Sequence, residues 1–190
     1  MIKAKKKYGQ NFLVDKGVIN KIIEAINPNN SEKILEIGPG LGALTTQILN
    51  KIDHIDVVEI DPDMIKVLQE KIPSTKITIF SSNILEMSNE TIAKYDKVIG
   101  NLPYYISSEI LLKMIKTIKN QKDIHFMLQK EVAERIASST HSKSYGRLSV
   151  MLQYFFNIEL LFDIQPEAFS PAPKITSSLV RLIPIINHEN

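Results

Sequence analysis

The chain contains no cysteine, so neither a disulfide framework nor a thiolate metal site is open to it. Its histidines, His54, His125, His141 and His188, are scattered and lack ligand spacing, and no metal is expected. No apolar run is long enough to span a bilayer, and the first residues are too basic and polar for a signal peptide. A cytoplasmic protein is therefore expected. No internal repeat occurs, and a net charge of +2 is too small to identify a polyanionic partner by itself. What is present is 190 residues with 44% hydrophobic content, which suits one globular domain.

Short apolar runs alternate with helical patterns. The runs at 33–37, 54–60, 76–80, 95–100, 124–129, 158–164 and 177–183 read as seven strands. Asp15 caps a helix carrying Val18, Ile19, Ile22, Ile23 and Ile26, and "NPNNS" at 27–31 stops it. A helical pattern runs through Leu44, Ile48 and Leu49, and Asp61-Pro62 opens a helix to about Lys71. Further helices are expected over 107–118, 130–138 and 146–156. This alternation predicts an α/β fold, a doubly wound and mostly parallel seven-stranded sheet that binds ligands at the carboxyl ends of its strands.

"LEIGPGLG" places Gly38, Gly40 and Gly42 after the first long strand as G-x-G-x-G, where the dinucleotide fingerprint is G-x-G-x-x-G. Glu36 beside this turn disfavours a pyrophosphate and tolerates a cationic ligand. Glu59 ends the next strand, 17 residues after Gly42, where an acid accepts ribose hydroxyls. With no phosphate-specific lysine, the set points to S-adenosylmethionine; the competing reading is a tight turn beside an ordinary surface acid.

"GNLPYYIS" follows the fourth strand. Asn101 stands at the strand end beside the expected cofactor. Pro103 lacks an N–H and biases Leu102 toward extended backbone, so the turn is stiff and its carbonyl can point outward. That carbonyl and the Asn101 amide oxygen make two acceptors for one amine, and Tyr104 offers a stacking face worth roughly 1–3 kcal/mol to a base. An exocyclic adenine amine is a poor nucleophile because its lone pair is delocalised. Two acceptors on its hydrogens favour a pyramidal nitrogen able to take a methyl group. The bland alternative is a strand, a turn and a core tyrosine.

"YGQNFL" (8–13), "EIGPGLG" (36–42), "VVEID" (57–61), "GNLPYYIS" (100–107) and "FSPAPKITSSLVRL" (169–182) together resemble the ribosomal RNA adenine dimethyltransferases, across residues 5–184. The resemblance implies the Rossmann-like methyltransferase sheet. It also implies transfer of methyl groups from S-adenosylmethionine to two adjacent adenosines in a hairpin loop near the 3′ end of small-subunit rRNA. The substrate would be a pre-ribosomal particle late in its maturation, and the enzyme a monomer. Gln10, Asn11 and Leu13 would close over the cofactor. Gly38 and its neighbours Glu36, Gly40 and Gly42 would meet its methionine part, Glu59 its ribose and Asn83 its adenine amine, with Ile60 and Ile84 also against the cofactor. Asn101, Leu102, Pro103 and Tyr104 would form the catalytic turn, and Phe169 with the "SPAP" loop would wall the adenine pocket. The family usually has Asp where this chain has Asn83, whose amide oxygen still accepts a bond. Residues 1–190 would form one methyltransferase domain with a basic arm over 1–13, without the small helical domain that follows in the family.

Lys5, Lys6 and Lys7 of the arm, with Lys143 and Arg147 of "HSKSYGR", are candidates to reach RNA phosphates, although such runs are more often solvated tails. The alternatives to a small-subunit enzyme are a large-subunit rRNA methylase conferring macrolide resistance, a protein or DNA amino-methyltransferase, and a non-catalytic RNA-binding assembly factor. Leu102 leans against the first, whose tetrapeptide tends to carry Ile. The intact Asn101 and Tyr104 speak against lost chemistry.

Overall fold

Local sequence sets the element boundaries. In the computed structural model, which describes residues 4, 5, 8–119 and 121–185, the chain runs β1 (Phe12–Leu13), α1 (Lys16–Ile26), β2 (Ile34–Ile37), α2 (Ala43–Ile48), β3 (Ile55–Glu59), α3 (Pro62–Lys71), β4 (Ile77–Ser81) and α4 (Asn89–Ile92). It continues through β5 (Lys97–Asn101), α5 (Ser107–Ile115), β6 (Asp123–Gln129), α6 (Lys130–Ile136), α7 (Arg147–Phe155), β7 (Phe156–Ile164), β8 (Phe169–Ser170) and β9 (Ser177–Pro184). The Asp15 carboxylate accepts from the Val18 N–H at 2.9 Å and starts α1, whose Ile19, Ile22, Ile23 and Ile26 share the buried face. Asn27, left-handed at φ 45°, ends it. Asp61 caps α3 with Pro62 in its first turn. The helix expected to reach residue 118 stops at Ile115, because Lys116 and Thr117 donate to Lys113 and Met114, three residues back, and tighten the last turn.

Seven strands form one sheet in the order β4-β3-β2-β5-β6-β9-β7. β4, β3, β2, β5 and β6 are parallel, and β9 pairs antiparallel with both β6 and β7. The sevenfold sheet and its helical wrapping agree with the sequence-based expectation. A second, two-stranded sheet was not expected: β1 pairs antiparallel with β8, joining Leu13 to Phe169. Two buried clusters fill the faces of the large sheet, one around Phe126 and Phe156, the other around Ile22, Ile26 and Phe169. Among the described residues no helix is long and apolar enough to cross a membrane.

The chain builds outward from β2 to β4, then returns to place β5 on the other side of β2. The carboxyl ends of β2 and β5 therefore flank a switch point. The approach there is close: a Cβ on Gly100 would lie 2.7 Å from the Ile37 carbonyl oxygen of β2. That carbonyl belongs to the ladder and cannot yield freely. Gly100→Ala is expected to cost about 1–3 kcal/mol of stability, as an overpacked core does, read as a lower denaturation midpoint in urea.

Candidate functional site

A cleft of about 180 Å³ opens at the switch point. Gly38 and Gly40 line it from the turn after β2, Glu59 and Ile60 from the end of β3, Asn83 and Ile84 from the loop after β4, and Asn101, Leu102, Pro103 and Tyr104 from the end of β5. Gln10 and Asn11 line it from the N-terminal segment. Twelve residues singled out in the sequence thus meet in one cavity, brought there by strands distant in the chain. Tyr8, Gly9, Phe12, Ser82 and Tyr105 also line it. Three of these lie inside the "YGQNFL" stretch, which was the only signal for them.

The Gly-rich turn is strained for any other residue. Gly38 has φ 63° with open space where a Cβ would point, and Gly40 has φ 54° with the Phe12 ring 3.1 Å from its missing Cβ. The room left above Gly38 is a cradle for a ligand. Glu59, nearly buried, accepts from the Ile60 and Asp61 N–H groups at 2.9 and 2.8 Å and from Gly40 at 3.2 Å. Burial holds its carboxyl above the usual carboxylate range; these three backbone bonds offset only part of that, and the Asp61 charge adds to it. Among the described residues the lining includes this carboxylate and no lysine or arginine. Such a donor and acceptor set fits a nucleoside with hydroxyls and a cationic tail, and it does not fit a pyrophosphate.

The Asn101 amide nitrogen donates to the Asn11 carbonyl at 2.9 Å, which fixes the amide and leaves its oxygen as an acceptor. The Leu102 side chain is buried at 1% exposure, so this residue can act on a ligand only through its backbone. The Tyr104 hydroxyl bonds Ser177 Oγ at 2.8 Å, which orients the ring across the end of β5. Burial holds that hydroxyl above the usual tyrosine range. The Asn83 amide oxygen is already engaged by the Leu85 N–H at 3.0 Å, so the side chain contributes an NH₂ donor that an Asp would lack.

Five of the expected residues stand apart from the cleft lining. Phe169 does not line the cleft; it is 4% exposed and packs in the cluster beneath β1, because β8 pairs there with Leu13. Leu13 is likewise buried and lines, with Glu36, a smaller cavity on the other side of Asn11 and Asn101. Gly42 faces Leu68, 3.0 Å from where its Cβ would stand, and shapes the turn rather than the cavity. Lys5 is not free for phosphate, since its ammonium lies 2.6 Å from Asp61 and 2.6 Å from Asp63. Lys6 and Lys7 lie outside the described residues. Lys143 and Arg147 are exposed and share a shallow groove with Tyr145, Glu134 and the Arg135–Glu131 pair.

Glu36 is 2% exposed and accepts from Thr45 Oγ1 at 2.6 Å. Burial raises its carboxyl from 4.5 to about 7, the Thr45 bond opposes this, and the Glu59 charge adds to it. The fold thus favours the protonated form. Its contribution to stability is full below pH 4.5 and is lost as pH rises through about 7. Thermal melts from pH 5 to 8 are expected to fall more steeply for the wild type than for Glu36→Gln. A cationic ligand favours the ionised form, so binding should strengthen as pH rises through that range and flatten in the variant.

The family model described as ribosomal RNA adenine dimethylase matches residues 1–189. A ribosomal RNA small subunit methyltransferase A from Methylobacillus flagellatus is 48% identical over 181 residues, covering 95% of this chain and 71% of that protein. The crystal structure of a dimethyladenosine transferase from Plasmodium falciparum superposes with a TM-score of 0.84 at 29% identity, over 92% of this chain and 63% of that one. A 23S rRNA methyltransferase structure reaches a TM-score of 0.77 at 27% identity, over 93% of this chain and 71% of that one.

Proposed function

The chain belongs to the ribosomal RNA adenine dimethylase family, and from that premise we propose that it transfers methyl groups from S-adenosylmethionine to two adjacent adenosines near the 3′ end of small-subunit rRNA. The observation that carries the reading is the convergence of Glu59, the Gly-rich turn and the Asn101–Tyr104 turn on one cleft. When bound, S-adenosylmethionine supplies an electrophilic methyl on a sulfur that departs as a neutral thioether. Glu59 holds the ribose hydroxyls, Glu36 balances the positive methionine end, and Ile60, Asn83 and Ile84 enclose the base. Asn101 Oδ1 and the Leu102 carbonyl accept from the hydrogens of the target amine. They hold its lone pair toward the methyl carbon, while the Tyr104 ring stacks on the adenine. Lys143 and Arg147 contact RNA phosphates, and the substrate is a pre-ribosomal particle met in the cytoplasm by a monomer.

The 48% identity to a small-subunit enzyme favours this reading over the large-subunit methylase, whose fold is also shared. Incubation with methyl-labelled cofactor and undermethylated small-subunit particles is the test. Label is expected as dimethyladenosine in the 3′-terminal fragment. Label in large-subunit RNA instead would replace the substrate, and a protein that binds cofactor yet labels neither would be an assembly factor.

A further inference from the structure

Residues 8–12 form a strap along one side of the cleft. Gly9 sits against the Tyr105 ring, with its missing Cβ 3.3 Å from Tyr105 Cδ1, and Phe12 lies on Gly40, so the strap bridges the two ligand-binding turns. Its downstream end is fixed by the β1–β8 ladder and by the Val14 and Asp15 N–H groups on the Ala168 carbonyl. The upstream end is tied differently. Lys5 Nζ donates to Asp61 Oδ1 at 2.6 Å and also pairs with Asp63 at 2.6 Å, Gln10 Nε2 donates to Asp61 Oδ2 at 2.8 Å, and the Lys5 N–H donates to Gln10 Oε1 at 2.8 Å. The Asp61 backbone N–H bonds Glu59.

We propose that Lys5, Gln10 and Asp61 are a clasp that locks the strap over the cofactor, with Asp61 the positioning residue that joins the closed strap to Glu59, and that opening the clasp sets how fast cofactor and product leave. The proposal rests on the cofactor reading of the cleft. Asp61 is fully buried; its Oδ2 is held by Gln10 of the strap and its Oδ1 by Lys5 and the Asp63 N–H. Burial pushes its carboxyl up, but the bonds from Lys5, Gln10 and the Asp63 amide prevail and keep it below the usual carboxylate range. Lifting the strap strips that carboxylate of its cation and an amide donor together, so the closed form is favoured. The Lys5 side chain is 32% exposed, which leaves the clasp open to screening by salt.

Hydrogen exchange of residues 8–13 in the ligand-free protein, and the dissociation rate of S-adenosylhomocysteine, test this in Lys5→Met, Asp61→Asn and the double variant. Asn keeps the cap of α3 and removes the charge. Both single variants are expected to speed strap exchange and to raise dissociation about tenfold, as for a lost charge-assisted bond to a buried group. The double variant should exceed Asp61→Asn only by what the remaining Lys5–Asp63 pair holds, well short of the product of the single effects, and salt should speed dissociation from the wild type far more than from Lys5→Met. Wild-type exchange and dissociation in Lys5→Met, whose strap lies outside the core, would overturn the clasp, and additive effects would overturn the coupling. A wild type that does not bind S-adenosylhomocysteine would instead remove the cofactor reading, with the exchange measurement still deciding whether the clasp holds the strap.

Discussion

Asn101→Ala is expected to slow methyl transfer about 10²–10³-fold at saturating cofactor, the usual cost of losing one preorganised group aimed at the transition state. The amide is preorganised because its nitrogen is tied to the Asn11 carbonyl and its backbone is the last residue of β5. Alanine keeps the strand and the turn but removes the acceptor, leaving the amine planar and poorly nucleophilic. Cofactor affinity should change less, since the Gly-rich turn and Glu59 are untouched. Single-turnover transfer to small-subunit particles, with binding measured in parallel, separates the two quantities. A rate within a few-fold of the wild type would remove Asn101 from the chemistry.

Glu59→Ala should act on binding. A hydrogen bond to a charged group is worth roughly 1.5–3 kcal/mol, which corresponds to about 10- to 150-fold in affinity for S-adenosylmethionine by calorimetry. The same carboxylate accepts the Gly40, Ile60 and Asp61 N–H groups, so its loss also loosens the glycine turn and the start of α3. A lower melting temperature is therefore expected alongside the weaker binding. Unchanged affinity in a folded variant would show that the acid does not read a nucleoside.

Several features were legible because their causes are local. The period of the apolar runs marks the strands of the large sheet, Asp15 and Asp61 mark helix starts, and glycines mark a turn that needs left-handed backbone. Asn101 and Tyr104 stand out because a proline-stiffened turn at a strand end has few other uses. β1 and β8 escaped notice because two-residue strands carry no period, and only their pairing makes them visible.

Local chemistry alone thus marks the α/β class, the glycine turn, the acid at the end of β3 and the Asn-Leu-Pro-Tyr turn after β5. Which of these face the same space depends on long-range packing. The order that sets β5 beside β2 depends on how whole layers pack, and that order carries Asn101 to Asn11, ninety positions away. Lys5 reads as a phosphate ligand in sequence and as the partner of Asp61 in space, because a buried carboxylate needs a cation and the fold places this one within reach. Phe169 reads as a pocket wall and is core for a similar reason: the pairing of β8 with β1 turns it inward, where an aromatic ring is most stable out of water.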